Sequence, residues 1–253
     1  IEPAAQASRW LPERVLAGIS GARAIVNRPS RREHLDVVLV DSPNGVYFGA
    51  RQMGAGYLWR VGGRVESAQK GIVRSLVTGV LEKLGVQGRI GLIVLTNAPR
   101  SGGWAAVTIS EWQESLQELE ASSGGRLRLQ QFHSVPELLR ALREGSYLAV
   151  INPYGEWLPA PPRGGIEATL ESIRYFVQNG GHWFEVGGYP FFYALQPVQY
   201  FSIRVIYPPA FADFLHWETQ AGNVSLYRVQ PRNWQPWDRE HLFIPGWLAW
   251  GRS

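Results

Sequence analysis

The apolar positions of the chain change period several times, and each change marks an element. Residues 36–41 form a short apolar run that stops at Ser42-Pro43-Asn44-Gly45. Residues 46–51 and 56–61 are similar runs, so three strands are expected, the first two joined as a hairpin through Asn44-Gly45. Beyond Ser67 the period lengthens. Ile72, Val73, Leu76, Val77, Val80, Leu81 and Leu84 fall on one helical stripe, with Ser67 as the expected N-cap and Gly85 as the C-cap. Residues 90–96 are apolar without a break, as in a strand covered on both faces. A capping box at Thr108 and Glu111 opens a helix whose apolar face is Ile109, Trp112, Leu116 and Leu119. Residues 127–132 are more polar, which places that strand near an edge. Ser134 and Glu137 read as a second capping box, with Pro136 tolerated in the first turn ahead of Leu138, Leu139 and Leu142. Residues 147–152 are again a buried strand. A helix over Ile166, Leu170, Ile173 and Val177 then leads to residues 180–193, which read as a buried strand running into a sharp glycine turn.

Residues 90–193 therefore read β-α-β-α-β-α-β. Alternation of this kind implies parallel pairing, right-handed crossovers and helices on both faces. The expected fold class is α/β: a flavodoxin-like, mostly parallel sheet with N-terminal and C-terminal β-rich extensions. Residues 1–88 are an N-terminal α+β extension that either joins the main sheet or forms a small lobe with the C-terminal tail. Residues 89–230 form the main α/β domain. Residues 231–253, with Trp234, Trp237, Trp247 and Trp250, form an irregular tail packed on the body. Within the C-terminal part, residues 198–207 alternate in part, and residues 213–218 and 224–229 flank a hairpin candidate. Residues 9–34 give no clear element, being interrupted by Gly18, Gly21 and Pro29, and residues 1–8 read as a loose Ala-rich leader.

Composition narrows the chemistry. The sequence has no cysteine, which excludes a disulfide framework, a thiolate nucleophile and cysteine metal ligands. The formal charge is +4, and only Lys70 and Lys83 of the 25 basic residues are lysines. Apart from residues 28–32 the arginines are scattered rather than striped, so no nucleic-acid partner is expected. No apolar run approaches the roughly 18 residues of a membrane span. The first residue is Ile1, as removal of a signal peptide or trimming would leave it, and an exported location is slightly favoured over a cytoplasmic one. The 11 tryptophans serve either as core packing or as a sugar-stacking surface.

A site in an open α/β sheet lies at the carboxyl ends of its strands. There the chain carries a glycine-flanked elbow, Gly187-Gly188-Tyr189-Pro190-Phe191, and later a His-x-Glu motif, His216-Trp217-Glu218. With the β-α-β-α-β-α-β run, these features resemble the class I glutamine amidotransferase-like superfamily over roughly residues 89–230. The resemblance implies a nucleophile at the elbow, where this chain has Tyr189, and Phe191 stands in place of the family's second glycine. A phenol with a pKa of about 10 is protonated at neutral pH, so glutaminase activity is not expected.

Three readings follow. In the first, the domain is non-catalytic and serves ligand binding or assembly, in a carbohydrate-related setting. In the second, it is a glycoside-type hydrolase using Glu156 and Glu185 as paired carboxylates, which His182 and His216 could approach, with His216 and Glu218 further candidates from the His-x-Glu motif. In the third, it is a structural subunit of a larger assembly or a homo-oligomer. Asn97, Arg100, Trp104, Asn152, Tyr154, Trp157, Gly188 and Tyr189 are the candidate ligand contacts. Several have a plain alternative: Glu185 as a buried carboxylate paired with an arginine, His182 as a hydrogen-bonded core histidine, Trp104, Tyr154 and Trp157 as covers over the core. No cofactor is expected, and no His/Asp/Glu cluster has metal-ligand spacing, although Asp213 and His216 are close in sequence.

Overall fold

The computed structural model describes residues 1–22, 32, 35–43, 45–62, 69–96, 107–155, 157–161, 167–187, 193–198 and 202–206. Its strands are β1 (Glu2–Pro3), β2 (Val37–Ser42), β3 (Gly45–Met53), β4 (Gly56–Val61), β5 (Gly88–Ile93), β6 (Leu127–Phe132), β7 (Ala149–Asn152), β8 (Trp157–Pro159), β9 (His182–Val186), β10 (Tyr193–Val198) and β11 (Ser202–Ile206). Its helices are α1 (Glu13–Ile19), α2 (Lys70–Leu84), α3 (Ile109–Ser122), α4 (Val135–Glu144) and α5 (Glu167–Gln178).

One eight-stranded sheet in the order β1-β2-β3-β4-β9-β7-β5-β6 organises these elements. From β4 to β6 every neighbouring pair is parallel. The chain moves outward from β5 to β6, then returns past β5 to β7 and on to β9, the flavodoxin-like route with its switch point between β5 and β7. The place beside β9 is filled by β4, which precedes β5 in sequence, and β3, β2 and β1 continue the sheet antiparallel from there. The N-terminal strands thus extend the main sheet. A second sheet, β11-β10-β8, joins β10 to β8 in parallel and to β11 as an antiparallel pair.

Two apolar layers cover the large sheet. One side holds Leu138 and Leu142 of α4 and Ile173, Phe176 and Val177 of α5 against Leu58, Val150 and Trp183. The other holds Val15 of α1, Val73, Leu76 and Val80 of α2 and Trp112 and Leu116 of α3 against Trp59, Ile151 and Phe184. Alternate residues of β4 and β9 face opposite layers, which is why the neighbours Leu58 and Trp59, and Trp183 and Phe184, are all apolar.

Local chemistry accounts for the element ends. Gly85 closes α2 at φ 67°. The expected N-cap Ser67 lies outside the described residues, and Gln69 occupies the N-cap position of α2. Thr108 and Glu111 form the complete capping box. At α4 only half of the expected box forms. Ser134 accepts from the Glu137 N–H, whereas the Glu137 carboxylate takes the His133 N–H at 2.9 Å. The polar strand β6 is an edge, as its composition implied. Two of its outward backbone donors are taken by α3 and the residue that ends it: Leu129 N–H donates to Glu120 Oε1 at 3.1 Å and Leu127 N–H to Ser123 Oγ at 3.0 Å. Such capping keeps an edge from adding further strands.

The first residues differ from the sequence reading. Residues 1–8 are tied down, since β1 pairs with β2 and Ala7 is buried. Residues 13–19 are helical, and the turn before them fits α2 closely because Gly79 leaves room for Leu11, Pro12 and Val15. Residues 193–198 form a strand, whereas the sequence pattern assigns only residue 193 to the stretch before it and residue 198 to the run after it. The expected hairpin at 213–229 and the Trp-rich tail lie outside the described residues.

Candidate functional site: a buried polar row at the carboxyl edge of the sheet

The strand register brings three polar residues together. Arg60 of β4 is the register partner of Glu185 in β9, and Glu185 is the register partner of Asn152 in β7. Register neighbours point to the same face of a sheet. All three lie at or next to the carboxyl ends of their strands, and all are buried, at 3%, 1% and 0% exposure. A polar row this deep is costly unless it is hydrogen-bonded.

Glu185 is held by the fold itself. Its Oε1 accepts from Asn152 Nδ2 at 3.0 Å, and its Oε2 accepts from Trp183 Nε1 at 2.7 Å. Trp183 is two residues back on the same strand, so its indole lies on the same face and its only polar hydrogen reaches the carboxylate.

Asn152 ties this row to the loop after β7. Its Oδ1 accepts from Tyr154 N–H at 3.2 Å, an Asx turn. Its Nδ2 also lies 3.4 Å from Gly155 O and 3.2 Å from Trp157 O. With one of its two hydrogens given to Glu185, Nδ2 shares the other between the carbonyls of Gly155 and Trp157, and Gly155 turns the loop with φ 63°. Tyr154 is fully buried, and its hydroxyl accepts from Leu95 N–H at 2.8 Å, just past the end of β5. Burial pushes its pKa up to about 12, partly opposed by the Leu95 N–H, so it stays a neutral phenol. The side chain thus bridges the β5 and β7 ends at the switch point. Trp157 is half-buried and packs on the α4–α5 layer.

His182, at the amino end of β9, belongs to an aromatic stack on the opposite face. Its Nδ1 accepts from Trp59 Nε1 at 2.9 Å, and its ring lies 5.5 Å from Tyr57. Indole nitrogen only donates, so His182 carries its proton on Nε2. Burial pushes its pKa down to about 4, which keeps it neutral.

Of the residues singled out from sequence, the structure thus brings Asn152, Tyr154 and Glu185 together and sets Trp157 beside them. Glu156, Asn97, Arg100, Trp104, Gly188, Tyr189, His216 and Glu218 lie outside the described residues, as does the elbow beyond Gly187. Gly187 itself has φ 85°, the left-handed backbone expected at the start of a sharp turn. Arg60 was not singled out, because its place beside Glu185 depends on the pairing of β4 with β9, which no local pattern encodes. The described tryptophans, Trp10, Trp59, Trp112, Trp157 and Trp183, are all buried or half-buried, as core packing requires. Among the described residues no group of three or more His, Asp or Glu could hold a metal ion, and no helix is long and apolar enough to cross a membrane.

No family model matches the chain, nor does any curated protein or solved structure. The fold and the site define an α/β protein with a flavodoxin-like strand order and a closed polar row at the carboxyl edge of its sheet.

Proposed function

We propose that this is a binding or assembly protein built on an amidotransferase-like α/β fold without a nucleophile, in a carbohydrate-related setting. The observation that carries the reading is the state of Glu185, buried with one carboxylate oxygen on Asn152 and the other on Trp183. A carboxylate so placed orders a strand end and a loop. A glycosidase carboxylate must instead reach the scissile oxygen, the anomeric carbon or a water. The lack of cysteine points the same way, since the superfamily's hydrolysis runs through a thiolate. The hydrolase reading, with Glu156 and Glu185 as the pair, ranks second for this reason.

The test is a thermal-shift screen against neutral and acidic oligosaccharides, with chromatographic analysis of the same samples. We expect at least one glycan to raise Tm, by about 5 °C at a concentration of about a hundred times Kd, with no cleavage product. Cleavage that disappears in Glu185→Gln would reverse the ranking in favour of hydrolysis.

A further inference from the structure

We draw no further inference here: the strongest candidate, the surface patch on α4 and α5 around the exposed Tyr175 with the two shallow grooves that share Arg143, carries nothing because nothing in the structure shows what covers it.

Discussion

Gly56→Ala is expected to lose about 3 kcal/mol or more of stability. Gly56 opens β4, where the turn from β3 is sewn to the turn between α5 and β9. Ala55 N–H donates to Gln178 O at 3.1 Å, and Tyr57 N–H donates to Gly181 O at 3.2 Å. A Cβ on residue 56 would lie 2.2 Å from Gly181 O and 2.3 Å from Val177 O. Both atoms are backbone and cannot swing aside, so β4 must shift. That shift would also move Arg60 out of register with Glu185. Gly71→Ala is the control. It lies exposed in α2, its Cβ would meet nothing within 4 Å, and the change should stabilise by about 0.5–1 kcal/mol. Urea melts of the two variants, fitted for midpoint and slope, check both signs.

Acidification is the second large effect. An unfolded histidine binds its proton near pH 6.5. His182 in the fold takes one only near pH 4, because burial disfavours the imidazolium. Between those values the unfolded chain holds the extra proton, so stability falls as pH drops through the window. The total loss is about 3 kcal/mol. The carboxylates that titrate low act at lower pH. Glu82, held down by its hydrogen bond to Arg14, loses its contribution only below the ordinary carboxylate range. Glu111 behaves likewise, because its bonds from Thr108 and Lys70 outweigh the effect of burial. Melting temperatures between pH 7 and pH 4 should therefore fall steeply in the wild type and less in His182→Gln. That variant keeps an acceptor for the Trp59 indole but has no proton to bind. Equal slopes would remove His182 as the cause.

The sequence makes the local elements plain and leaves the long-range partners hidden. The stripe from Ile72 to Leu84 and the capping box at Thr108 each follow from one period or one cap and appear in the structure, and of the continuous run at residues 90–96 the part up to Ile93 lies in β5. Even the edge position of β6 is legible in its polarity. Placing β4 beside β9 is a different matter. It joins residues more than a hundred positions apart, and both strands carry large apolar residues on both faces, so no local pattern in either says which neighbour it takes. Arg60 was missed for that reason, although Glu185 was open to an arginine partner in the sequence reading. β8 was missed because it has only three residues, ends in Pro159, and pairs with β10 across α5 and β9. Tyr154 is open from the sequence to either a ligand contact or a cover over the core, and the pairing of its buried hydroxyl with Leu95 N–H just past β5 depends on a long-range contact that the composition of the loop does not encode.

The melting temperature of Glu185→Gln tests the central claim, that this carboxylate serves the fold rather than a reaction. Two donors converge on Glu185, from Asn152 and Trp183, and a glutamine amide can accept only one of them while its own N–H₂ opposes the other. The claim predicts a loss of about 2 kcal/mol, seen as a drop of several degrees in Tm. A carboxylate held in place for chemistry usually costs stability, and its neutral replacement leaves Tm unchanged or raises it. An unchanged or higher Tm would contradict the claim and put the hydrolase reading first.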